Sequence, residues 1–141
     1  MECEMEKKLF TLKEANALLP ALKEDLLKLQ QLTEQFEERL LEYQRTKAHR
    51  PQAFRSSADN ADPFFEMESR LEFMRMESEL LIGNFSRKGV LLKMIQPGLI
   101  DFPAMLNGEE VLICWKEGEE MASHYHGLHD GFIGRKPFPE E

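Results

Sequence analysis

The sequence predicts an α+β fold, mostly helical: a long antiparallel helical hairpin, a small antiparallel β-meander and a Gly/His-rich C-terminal tail. Three observations carry this reading. Apolar residues recur at spacings of three and four through two segments, a polar and breaker-rich stretch separates those segments, and after Gly89 the pattern changes to short apolar runs bounded by turn dipeptides. The 141 residues suit a single domain over 1–141, with the hairpin at 11–48 and 63–86, the meander at 89–117 and the loop-rich tail at 118–141.

Thr11-Leu12-Lys13-Glu14 has the capping-box form, which predicts a helix beginning at Leu12. From there Ala15, Leu19, Leu22, Leu26, Leu29, Thr33, Phe36, Leu40 and Tyr43 form one heptad stripe, the seam of a coiled coil. Pro20 falls inside it and crowds the carbonyl of Asn16, which predicts a kink or an offset first turn. The helix should reach about Ala48, on the order of 55 Å of length that something must pack against.

His49 to Pro63 holds Pro51, Ser56, Ser57, Asp59, Asn60 and Asp62 and reads as a loop. Phe64, Met67, Leu71, Met74, Ser78, Leu81 and Phe85 then repeat the helical spacing, with Phe73, Met76 and Leu80 widening the apolar face. The second helix folds back along the first. Its doubled apolar face, with the unequal helix lengths, predicts a homodimer that completes a four-helix bundle, the competing reading being that the β region covers this stripe within one chain. The eight methionines read as core filler.

Val90–Ile95, Leu99–Phe102 and Val111–Trp115 are the meander's three strands. Pro97-Gly98 suits a type II turn and Asn107-Gly108 a type I′ hairpin. One sheet face should lie on the hairpin, anchored by Trp115 and Phe102. The tail from Gly118 reads as loop with room for one further short strand.

Hydrophobic residues at 42% and charged residues at 31% exclude a disordered chain and a membrane protein, and no run approaches the roughly 18 apolar residues of a bilayer span. A net charge of -8 argues against nonspecific nucleic-acid coating. The acidic start is no secretory signal, and two cysteines make no disulfide framework, so a reducing cytoplasm is expected. Cys3, between Glu2 and Glu4, reads as an inert tail residue.

His124-Tyr125-His126 and His129 make an H-x-H-x-x-H cluster followed by Asp130. On an extended segment His124 and His126 share one side, and His129 could return from a turn to complete a transition-metal site such as zinc. Cys114, Glu119 or Asp101 stands as a further ligand. The competing reading is a set of solvated or locally hydrogen-bonded histidines. At the end of the first helix, Arg45, Lys47, Arg50 and Arg55, with His49, concentrate positive charge. They read as complementing the helix dipole, or else as a contact for nucleic-acid phosphate or an acidic protein partner.

Gly98-Leu99-Ile100-Asp101-Phe102-Pro103-Ala104, Cys114-Trp115, Gly118-Glu119, His126 and Gly131-Phe132-Ile133-Gly134-Arg135 occur in order, preceded by Phe10-Thr11-Leu12 and Leu18-Leu19-Pro20. In this the chain resembles an uncharacterised prokaryotic family catalogued as domain of unknown function 2203, over nearly its whole length. The resemblance implies a prokaryotic cytoplasmic setting and supplies no activity. Tyr125 stands where the family pattern has Trp, and His124 and His129 match no fixed family position. Asp101, Glu119 and Arg135 are the charged members of the matched motifs. They read as an ion pair tying the tail to the sheet, or as a clamp for a small anion beside His126. No nucleophile motif, phosphate loop or paired catalytic carboxylates stands out, so the residues name no reaction. The function expected is that of an oligomeric structural or interaction module, with a metal protein as the alternative.

Overall fold

Thr11 opens the first helix by the reciprocal pairing the sequence predicts: the Glu14 amide donates to Thr11 Oγ1 and the Thr11 amide to Glu14 Oε1, both at 3.0 Å. Helix α1 spans Leu12–His49 in the computed structural model, which describes residues 8–49 and 63–139. It runs unbroken through the exposed Pro20, so no separate first turn forms. Helix α2 spans Pro63–Arg87. Five strands follow: β1 (Leu91–Met94), β2 (Leu99–Leu106), β3 (Glu109–Lys116), β4 (His124–Gly127) and β5 (Lys136–Pro137), with a 3₁₀ turn at Phe132–Gly134. The class is α+β.

The chain divides into two compact units. The described residues of Met1–Leu27 and Ile82–Glu141 form one, and those of Lys28–Leu81 the other.

The first unit is built on one antiparallel sheet with its strands in sequence order. The meander therefore has five strands, not three, and the tail supplies two of them. β4 and β5 are four and two residues long and carry His, Gly, Lys and Pro, so no apolar alternation announces them. Asn107 (φ 54°) and Gly108 (φ 82°) make the predicted two-residue hairpin, with Leu106 opposite Glu109. The expected type II turn at Pro97-Gly98 does not form: Gly98 is not at positive φ, and the Gln96–Pro97 peptide is cis. Gly98 is needed for space instead, because a Cβ there would lie 2.2 Å from Leu26 Cδ2 of α1.

Side chains alternate across the sheet. Ile100, Phe102, Ala104, Val111, Ile113 and Trp115 lie on one face and are almost wholly buried, with Ala15, Leu19, Leu22 and Leu26 of α1 also in the core. Phe10 stands edge-on to Phe102 at 5.4 Å, and Lys23 of α1 lies over the Trp115 ring. Both predicted anchors are thus in place. Asn16 of α1 holds the loop before β4: its carbonyl accepts from the Ala122 amide at 2.7 Å and its amide donates to the Ala122 carbonyl at 3.0 Å.

In the second unit the heptad stripe continues through buried Leu29 and Leu32 to half-buried Thr33, Phe36, Leu40 and Tyr43. Tyr43 meets Phe64 edge-on at 6.0 Å and its hydroxyl bonds Glu68, so the end of α1 pairs with the start of α2 in antiparallel fashion. Met74 is buried and Phe64, Met67 and Leu71 are half-buried, while Phe65, Phe73, Met76 and Leu80 are exposed.

Candidate functional site

The second face of the sheet, turned away from α1, carries the site. Asp101 sits directly opposite Cys114, and His124 opposite Cys114 from the other side. His126 is opposite Leu112, one diagonal step from Cys114. The narrow Leu106–Glu109 pair closing the hairpin makes every second pair hydrogen-bonded, so Asp101–Cys114 is a non-hydrogen-bonded pair, the geometry in which facing side chains come closest.

Register, not sequence proximity, therefore assembles Asp101, Cys114 and His126. Their ligand atoms all lie within 4.8 Å of one another and all three residues are buried. His126 Nε2 stands 3.2 Å from Asp101 Oδ2, and His126 Nδ1 stands 2.8 Å from the Gly127 carbonyl. A carbonyl only accepts, so Nδ1 carries a hydrogen and Nε2 is left facing the carboxylate.

Burial pushes the Asp101 carboxyl above its ordinary value, and the charges of His126 and Lys93 offset this only in part. Burial, followed by the Asp101 charge, pushes the Cys114 thiol up to about 12 against the pull of Arg135. The thiol is no ready nucleophile.

Arg135 arrives from the tail, its guanidinium 4.1 Å above the Phe132 ring and paired with Glu119. Of the two pairings the sequence allows, the structure makes Glu119–Arg135. Glu119 also accepts from the Lys116 amide at 3.0 Å. Burial raises the Glu119 carboxyl, but the Arg135 hydrogen bond, the Lys116 amide and the Arg135 charge outweigh it and hold the group below its ordinary value. Among the described residues, two buried side-chain atoms lack a hydrogen-bond partner: Asp101 Oδ1 and Arg135 Nη1. Both belong to this neighbourhood.

The three histidines do not converge. His124 and His126 share a face of β4 as predicted, but the His124 ring pairs with Ser123 Oγ and His129 is exposed beyond the strand. Of the three, His126 alone stands beside both Asp101 and Cys114. Its partners come from β2 and β3, which no local spacing can indicate. One sequence signal was available: Asp101 interrupts the apolar run Leu99-Ile100-Asp101-Phe102, an unusual place for a charge unless it is partnered. At the hairpin tip, Lys47 lies over the Tyr43 and Phe64 rings and 3.8 Å from Glu68, and Arg45 is exposed. Arg50 and Arg55 lie outside the described residues.

The fold and site define a class: an α+β protein of two long helices and a five-stranded antiparallel sheet, the sheet face away from α1 holding a buried Asp–Cys–His cluster. Residues 8–138 match a family described as an uncharacterised conserved protein, DUF2203, and the chain belongs to that family. No curated protein and no solved structure matches it significantly. No helix among the described residues is long and apolar enough to cross a membrane.

Proposed function

We propose that this chain is a homodimeric interaction module of the prokaryotic cytoplasm, assembling through the outward side of α2 as a coiled-coil bundle. The observation that carries this is the exposure of Phe65, Phe73 and Met76, at 65%, 68% and 50%. At 3.6 residues per turn these three fall within an arc of about 80°, on the side of the helix opposite Met74. With half to two thirds of each side chain left to bury, each contributes about 1–2 kcal/mol. A twofold axis counts each side chain twice, which reaches the roughly 4–15 kcal/mol that association costs.

A groove of about 690 Å³ beside this stripe is lined by Phe65 and Phe73 together with Arg39, Arg70, Glu42 and Glu66. Two cations and two anions in one patch suit a self-complementary contact, in which each Arg meets a Glu of the second copy. The cytoplasmic setting rests on the sparse cysteines, two in 141 residues, which make no disulfide framework.

Light scattering at tens of micromolar tests the reading. The expected result is twice the 16.5 kDa chain mass, falling to the monomer in a Phe73→Glu/Met76→Glu variant that keeps its helical circular dichroism. A wild-type monomer, or a dimer indifferent to both substitutions, overturns it.

A further inference from the structure

We propose that Asp101, Cys114 and His126 form a binding site for one divalent transition-metal ion of zinc-like preference. The site lies in the first unit and is independent of dimerisation through α2.

The donor set has the chemistry of such a site: imidazole nitrogen, thiolate sulfur and carboxylate oxygen are the three side-chain ligand types zinc takes, and together they disfavour magnesium and calcium. The spacing agrees. Bond lengths of about 2.0–2.3 Å put the donors of a tetrahedral site roughly 3.3–3.7 Å apart. Nε2 and Oδ2 already stand at 3.2 Å, and all three ligand atoms are within 4.8 Å. Small side-chain rotations close the remainder.

The hydrogen bonding around the cluster points the same way. His126 Nδ1–H donates to the Gly127 carbonyl, the outer contact that sets the tautomer of a ligating histidine and aims its Nε2 lone pair at the metal. Nε2 stands 3.2 Å from a carboxylate oxygen within a buried site, a contact that takes either a proton or a cation between the two atoms.

Asp101 Oδ1 supplies an independent observation, since Asp101 is 1% exposed and this oxygen has no partner. A bound cation stabilises the whole carboxylate, Oδ1 included. It also turns the thiol into a thiolate, giving the buried Nη1 of Arg135, whose guanidinium lies within electrostatic reach of the Cys114 sulfur, an anion to donate to. Charge closes as well: a dication with one thiolate and one carboxylate is neutral, beside a neutral Arg135–Glu119 pair. Binding releases the thiol proton.

A cavity of about 410 Å³ lies next to the cluster, lined among others by Leu91 and Leu112, which stand opposite Asp101 and His126 in the strand register. With three protein ligands the fourth position falls to water or a small exogenous donor, as in open zinc centres.

Cobalt(II) titration of chelator-treated full-length protein tests this directly. The expected result is one equivalent bound, with a thiolate-to-cobalt charge-transfer band that one equivalent of zinc abolishes. A Cys3→Ser variant keeps the band, and so does His124→Ala. Asp101→Asn weakens cobalt binding by at least about tenfold, the lower end of what disturbing even an outer contact produces. Because the band itself reports a cysteine ligand, the wild type and Cys3→Ser decide the matter even if substitutions at the cluster fail to fold. Absence of the band in the wild type, its loss in Cys3→Ser, or its loss in a folded His124→Ala overturns the assignment.

Discussion

Gly98 and Leu26 occupy space that leaves no room for a side chain between them: a Cβ on Gly98 would fall 2.2 Å from Leu26 Cδ2 and 3.3 Å from Cγ. This is where the turn between β1 and β2 comes down on α1. Gly98→Ala should destabilise the protein by about 1–3 kcal/mol through overpacking. Leu26→Ala in the same chain should recover part of that loss, giving a non-additive cycle in urea denaturation. Additive costs would show that the contact relaxes without strain.

Asn16 gives α1 a second hold on the same unit through its two bonds to the backbone of Ala122, which is 1% exposed. Removing the side chain strands a buried N–H and a buried carbonyl together. Asn16→Ala should cost about 1–3 kcal/mol. Asn16→Asp, which keeps the acceptor and loses the donor, should fall between. Denaturant midpoints measure both, and amide exchange at Ala122 should accelerate in the first.

The Glu119–Arg135 pair ties the tail to β3 and makes stability depend on acid. Arg135, the Lys116 amide and His124 are the groups that lower the Glu119 carboxyl from its ordinary 4.5. A carboxylate so lowered contributes fully above pH 4.5, and the contribution is lost as pH falls through its folded value. Glu119→Gln should cost about 1–2 kcal/mol near neutral pH and remove that part of the acid dependence. Unfolding free energies from neutral pH down to about pH 3 in both proteins read the effect.

Cys114 should be silent toward thiol reagents while the protein is folded. Its thiol is fully buried and pushed up to about 12, so at pH 8 the thiolate fraction is on the order of 1 in 10⁴. In Cys3→Ser protein free of metal, a disulfide reagent should register no thiol until denaturant is added. Prompt reaction of one equivalent in buffer would place the sulfur at the surface.

Local chemistry was legible in the sequence wherever residues close in the chain decide the outcome. Thr11 and Glu14 are three apart and cap each other, and the stripe from Ala15 to Tyr43 follows one face because the helical period repeats every three or four residues. Asn107 and Gly108 turn because both take positive φ. The Pro97-Gly98 pair makes no type II turn because Gly98 answers to Leu26, 72 positions earlier in the chain, and not to a turn type.

The sequence by itself thus determined the α+β class, both long helices, the cap and the hairpin turn, because each depends on periodicity or on neighbours within a few residues. Tertiary structure alone decided that β4 and β5 extend the sheet, that Glu119 takes Arg135, and that His126 meets Asp101 and Cys114 and not its neighbouring histidines. Those outcomes depend on strand register, in which a shift of one residue would turn Asp101 and Cys114 onto the opposite face. Register is settled by burying Ile100, Phe102, Ile113 and Trp115 against the helical side, and the cluster on the other face is placed by that same packing.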